Sequence, residues 1–189
     1  VAANQPSDSV WSESGRQSYR YTGEVMASEP NWKSQVTAKI TEKFICLVPQ
    51  SGYRLAMSEP TATEYLLAPD VSDDVLGEAI RSALTESRFL SLEEANALRL
   101  TADSRYTEWV RSLTDRYGYE TKQALFRNMR SCSIALSGDE LVLSPSHHDK
   151  LDSWSRTKGD GIEDVIISFR SSSGELGAAL RLAFSRCTG

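Results

Sequence analysis

Cysteine is scarce in this 189-residue chain and poorly spaced for structural work, with only Cys46, Cys132 and Cys187. An odd count with long gaps makes neither a disulfide framework nor a C-x-x-C metal pair. Two of the three have apolar neighbours that suit free, buried thiols, and a reducing, cytoplasmic setting is the expectation. Long apolar runs are missing as well: nothing approaches the roughly 18 residues of a membrane-crossing helix. The first residues carry no basic start, apolar centre and small-residue cleavage site of a secretory signal. Histidine is limited to His147 and His148. No G-x-x-x-x-G-K-(S/T), G-x-G-x-x-G or G-x-S-x-G occurs, which removes the commonest nucleotide-binding and hydrolase motifs. With 21 basic against 26 acidic residues, a net charge of −5, the chain also lacks the positive excess that phosphate binding draws on. No cofactor, no membrane and no direct nucleic-acid partner are expected.

What is present is an ordinary globular composition, 40% hydrophobic and 25% charged, in a length that fits one sizeable domain. Residues 1–34 are polar, rich in Ser and Glu, and read as a partly flexible arm; residues 35–189 read as the folded domain. Within it one phrase is written twice, Leu-Gly-Glu-Ala-Ile-Arg-Ser-Ala-Leu at 76–84 and Leu-Gly-Ala-Ala-Leu-Arg-Leu-Ala-Phe at 176–184. Each copy follows a strand-like run (64–69 and 164–170) and a Ser-rich helix start. Further upstream each has a hairpin-like pair, 44–48 with 53–58 and 132–136 with 140–144. The expected fold is therefore α+β, one domain with an antiparallel or mixed sheet packed by helices, in two pseudo-repeated β-β-β-α halves.

Local signals fill in the elements. Residues 35–48 alternate weakly and end in an apolar run suited to a central strand. Pro49 to Gly52 read as a turn. Ser72 or Asp73 caps a helix whose Val75, Leu76, Ala79, Ile80, Ala83 and Leu84 form one stripe. Gly77 inside it costs about 1 kcal/mol relative to Ala, so close backbone packing is its expected reason. Ser91 and Glu94 make a capping box. A helix over 104–117 places Tyr106, Trp109, Val110, Leu113 and Tyr117 on one face, closed by Gly118. A basic helix follows over 121–130 with Leu125, Phe126 and Met129 inward. Residues 133–136 and 141–143 form a hairpin about Ser137-Gly138-Asp139. Residues 145–154 are read as holding a helical turn, and 156–161 as a mobile loop.

Charge is unevenly placed. Residues 59–103 hold ten acids and three bases, a balance of −7, whereas 104–132 hold three acids and six bases, +3. The acidic stretch is either a solvated face or a surface for a basic partner. The basic residues Arg111, Arg116, Lys122, Arg127 and Arg130 could touch RNA, or neutralise the acidic helices and complement a helix dipole, the preferred reading. His147, His148 and Asp149 could bind a metal, but adjacent side chains point apart and no further ligands stand at a recognisable spacing. Cys132 with His148 and Asp149 could make a hydrolase on paper, without the local signature of a reactive thiol. Trp109 belongs to a core face, while Trp11, Trp32 and Trp154 lie in polar segments, where an aromatic serves either as an interface anchor or as cover for the core's edge.

One tract stands out when read whole: Gly118-Tyr119-Glu120-Thr121-Lys122-Gln123-Ala124-Leu125-Phe126-Arg127-Asn128-Met129-Arg130-Ser131-Cys132. With residues 87–90, 144–154 and 176–187, it resembles a family of contact-dependent growth inhibition (CDI) immunity proteins over roughly 39–187. Arg127 and Arg130 stand where that family commonly has Lys. The resemblance implies a cytoplasmic, non-enzymatic protein that binds and neutralises the C-terminal toxin domain of a cognate CdiA effector, often a nuclease, by covering its active site or substrate groove. The motif's Leu125, Phe126, Met129 and Cys132 read as core, so the contact is expected on exposed acids. These are Asp70, Asp73, Asp74, Glu78, Glu93 and Glu94, with Asp149, Asp152 and Trp154 as a second patch. An RNA-associated regulatory module using the basic helix pair, or a Cys/His hydrolase, stays as the alternative. Oligomeric state is left open.

Overall fold

The protein is represented by a computed structural model that describes residues 32–189; the arm expected over 1–34 lies almost wholly outside the described residues, as does Trp11. In chain order the elements are β1 (Ser34–Ile40), β2 (Ile45–Gly52), β3 (Ala56–Ser58), β4 (Tyr65–Leu67), α1 (Asp73–Thr85), α2 (Leu92–Leu100), α3 (Ala102–Tyr117) and α4 (Lys122–Phe126). After these come β5 (Arg130–Ser137), β6 (Glu140–Pro145), β7 (His147–Lys150), β8 (Ser153–Ser155), β9 (Val165–Ser168) and α5 (Ser173–Arg186). This is an α+β domain. Its seven-stranded sheet runs β3-β2-β1-β5-β6-β9, with β4 also paired to β2, and all pairings are antiparallel.

The expected single run over 35–48 is in fact two strands. Thr41 turns the chain between them: its N–H donates to the Phe44 carbonyl at 2.9 Å, and its Oγ1 accepts the Lys43 and Phe44 amides. β1 then pairs with β2 on one side and β5 on the other. The turn expected at Pro49 to Gly52 is the end of β2 instead. Pro49 sits between the residues of β2 that pair with β4 and those that pair with β3, so its missing N–H removes no bond on that edge. Its carbonyl accepts the Glu59 amide at 2.9 Å.

Two layers cover the sheet. Alternation on the strands sends Val36, Ala38, Ile45, Leu47, Ile134, Leu141 and Leu143 to one face, where they meet the stripes of α1 and α5. These two helices approach closely because each presents a glycine: a Cβ on Gly77 would lie 1.8 Å from the Ser173 carbonyl oxygen, and one on Gly177 would lie 2.1 Å from that of Asp73. Their arginines are exchanged likewise. Arg81 donates to the Phe169 and Ser171 carbonyls, and Arg181 to those of Pro69 and Val71. On the opposite face Phe44, Cys46, Leu113, Tyr119, Leu125, Phe126 and Met129 form a second core beneath α3 and α4.

Other expectations need correction. The basic helix expected over 121–130 is short, because Arg130 already pairs with Ile40 in the sheet and the chain must leave the helix before it. Arg130 therefore complements no helix dipole. The helical turn expected over 145–154 is the β7–β8 hairpin, with a bulge between His148 and Lys150. At 156–161 Arg156 pairs with Asp160 and Asp164 and donates to the Pro145 and Ile162 carbonyls, while Asp160 accepts the Thr157 and Ile162 amides.

A charged aromatic cleft on the sheet

The alternation that buries Val36 and Ala38 turns Thr37 and Lys39 toward the other face. There the sheet, α3, α4 and the β7–β8 hairpin enclose a cleft of about 560 Å³. Tyr106 and Trp109 reach it from one face of α3, three residues apart. Phe126 comes from α4, while Trp154, on β8, tilts against Phe126 with centroids 5.9 Å apart. The Trp154 indole N–H donates to the Met129 carbonyl at 3.0 Å, so this tryptophan is fixed and half-buried.

Charges are set among these rings. Glu64, just before β4, accepts the Trp109 indole N–H and the Cys46 thiol, the latter at 3.2 Å. Burial and the Glu64 carboxylate push the Cys46 thiol well up. Asp152 accepts from Lys122 Nζ at 2.6 Å and from the Tyr106 hydroxyl, tying α3, α4 and the hairpin turn together over the cleft. The Lys122 bond holds the Asp152 carboxyl below its ordinary range, with Tyr106 helping. Glu59, only 5% exposed, bonds the Thr61 amide and hydroxyl and Arg88. Burial opposes its ionisation, but these bonds and one from Ser51 outweigh it and hold the carboxyl at about 2. Lys39 has its ammonium 4.6 Å from the Trp154 ring centroid and 6.0 Å from that of Trp109. Burial pulls it down to about 8, with the neighbouring Cys46 opposing weakly.

The nine residues expected to contact a partner divide between the two faces. Asp70, Asp73, Asp74 and Glu78 belong with α1 on the far side of the sheet. Asp73 is bound by Arg181 at 2.6 Å, and Glu78 accepts the Ser173 hydroxyl. Among the described residues the basic helices thus make no ion pair with α1; Arg181 of α5 pairs with Asp73, and Arg111 pairs with Glu108 of its own helix. Glu93 and Glu94 are exposed at the start of α2, Glu94 closing the capping box with Ser91. Asp149 is exposed at the β7–β8 bulge. Of the nine, only Asp152 and Trp154 line the cleft. Lys39, Glu59 and Glu64 belong to the cleft without a sequence motif to mark them; the only signal for Lys39 is its alternation with the apolar Val36 and Ala38.

The alternative chemistries find other neighbours. His147 Nδ1 lies 2.9 Å from Thr188 Oγ1, while His148 Nε2 is 3.0 Å from the Leu151 carbonyl and its ring stacks on Trp154. Among the described residues no three His, Cys, Asp or Glu side chains gather as a metal site. Cys132 is fully buried in β5, and burial pushes its thiol far up, which suits core packing and opposes nucleophilic use. Among the described residues no helix is long and apolar enough to cross a membrane.

Comparison with known proteins gives a consistent result. A family model described as CDI immunity protein matches residues 34–187. The immunity protein CdiI-YPIII of Yersinia pseudotuberculosis serotype O:3 (strain YPIII) is 41% identical over 167 residues, 81% of this chain and 94% of that protein. Among solved structures, a CdiA-CT/CdiI toxin and immunity complex from Yersinia pseudotuberculosis aligns with a TM-score of 0.75 at 37% identity, over 83% of this chain and 98% of that one. A Neisseria meningitidis protein of unknown function aligns with a TM-score of 0.74 at 32% identity, over 83% and 96%.

Proposed function

The chain belongs to the CDI immunity protein family, and from that premise we propose that it binds the C-terminal toxin domain of a cognate CdiA effector in the cytoplasm and neutralises it. The toxin is a nuclease in this reading, and inhibition is by occupation: its active site or substrate groove is covered, and no bond is made or broken. The contact is centred on the cleft. The observation that carries this is the set of half-exposed aromatic side chains there, Tyr106, Trp109 and Trp154, held rigid by bonds to Asp152, Glu64 and Met129. Rigid aromatic anchors ringed by charge are what interface hot spots consist of.

Asp152 and Trp154 are then direct contacts, with Glu93, Glu94 and Asp149 at the rim. Asp70, Asp73, Asp74 and Glu78, on the opposite face, act only through the long-range field that draws in a basic partner. Residues 35–189 form the binding domain in this reading. Co-expression with the toxin domain tests the proposal. The intact chain is expected to restore growth and to co-purify with the toxin, and Trp109→Ala to weaken the complex by about 2 kcal/mol or more. Charge reversal at Asp74 is expected to slow association at low salt and leave dissociation unchanged. Failure of the intact chain to protect or to bind overturns the function. Full affinity in Trp109→Ala moves the contact away from the cleft.

A further inference from the structure

Among the described residues Lys39 is the one cleft charge whose surroundings do not account for it. Glu64 is occupied by Trp109 and Cys46, Asp152 by Lys122 and Tyr106, and Glu59 by Thr61 and Arg88. Among the described residues the Lys39 ammonium, half-buried and opening onto the cleft, has no protein hydrogen-bond or ion-pair partner for its three donors. Two indole rings attract a cation but accept no conventional hydrogen bond from it. An ammonium so placed is destabilised relative to water, and its lowered proton affinity records this. Core packing does not require a lysine here, since Thr37 and Val48 line the same cleft without charge.

Resting on the reading of the cleft as the toxin contact, we propose that Lys39 is the receptor for a carboxylate side chain that the toxin domain brings into the cleft between the Trp109 and Trp154 rings. A carboxylate suits the place better than a phosphate. Glu59, Glu64 and Asp152 already line the cleft, so a second negative charge on the arriving group would be repelled. The planar group suits a cleft whose lining includes Val48, Met57 and Phe126 beside the two rings. Once the toxin covers the cleft and excludes water, only one with an acid at the matching position pairs the ammonium, so the same contact discriminates among partners.

Calorimetry of the cognate toxin domain against the intact chain at pH 8, in two buffers of different ionisation enthalpy, reads this directly. Pairing returns the ammonium's proton affinity to its ordinary range or above, so roughly half a proton is taken up per complex. Glu59, Glu64, Arg105, Tyr106 and Asp152 line the cleft, with Cys46 bonded to Glu64 and Lys122 to Asp152, and the difference from Lys39→Met isolates Lys39 from them. Lys39→Met is expected to keep the thermal midpoint, lose the proton uptake and bind about 30-fold or more weakly; Lys39→Arg is expected to retain most of the affinity. A wild-type complex without proton uptake overturns the inference while leaving the toxin contact standing, and so does undiminished affinity in Lys39→Met. Absence of any wild-type complex overturns the functional reading on which the inference rests. The uptake is measured on the intact chain, so its presence or absence does not depend on the variant folding.

Discussion

Glu59 shows how a single buried side chain couples stability to acidity. Its folded carboxyl titrates at about 2, well below an unfolded glutamate at about 4.3. Between those values the unfolded chain binds more protons, so the contribution of Glu59 is complete above about pH 4.3 and is lost as the pH falls through about 2, on the order of 3 kcal/mol in all. Urea unfolding across pH 5 to 2 should show this loss in the wild type and lack it in Glu59→Gln; parallel curves would mean that Glu59 is not held as described. Single residues of this kind were the least legible in the sequence. Glu59, Glu64 and Lys39 belong to no motif, and their partners Arg88, Trp109 and Trp154 are brought to them by tertiary packing. The legible ones, Leu125, Phe126, Met129 and Cys132, are all fully buried and mark the scaffold.

Elements fared better where periodicity and caps agreed. α1 and α5 were readable from their stripes and from Ser72 and the Ser171 to Ser173 run, since one buried face, a cap and a repeated phrase all point to the same helix. The close approach at Gly77 and Gly177 leads to a prediction at this scale. Gly77→Ala sets a methyl against the Ser173 backbone, which cannot rotate away as a side chain would, and should destabilise the domain by about 3 kcal/mol in chemical denaturation. A neutral Gly77→Ala would show that the two helices can slide apart at little cost. By contrast, Ser91→Ala removes one half of an exposed capping box on α2 and should cost about 1 kcal/mol in the same assay. The β7–β8 hairpin was not readable: His-His-Asp-Lys-Leu-Asp-Ser-Trp has no apolar alternation, and its strands are placed by bonds from His148 N–H to the Thr188 carbonyl and from Trp154 to Met129. The end of β2 is not legible because Pro49 and Gly52 are turn residues by propensity, and only the gap between β3 and β4 makes a strand there acceptable.

At the scale of the whole molecule the sheet separates two jobs. One face is closed by α1 and α5, where Asp73 is bonded by Arg181 and Glu78 by Ser173. The other face keeps an open cleft whose rings and charges are held by neighbours yet remain reachable. The acidic stretch over 59–103 looked like one surface in the sequence, but the chain passes from one side of the sheet to the other within it, so the acids of α1 and α2 end on different layers. Hydrogen–deuterium exchange of the domain, alone and with the cognate toxin domain, distinguishes the two faces. Slowed exchange is expected in β1 to β3, α3 and residues 152–155, with α1 and α5 unchanged. Protection confined to α1 and α5 would contradict this division of the molecule.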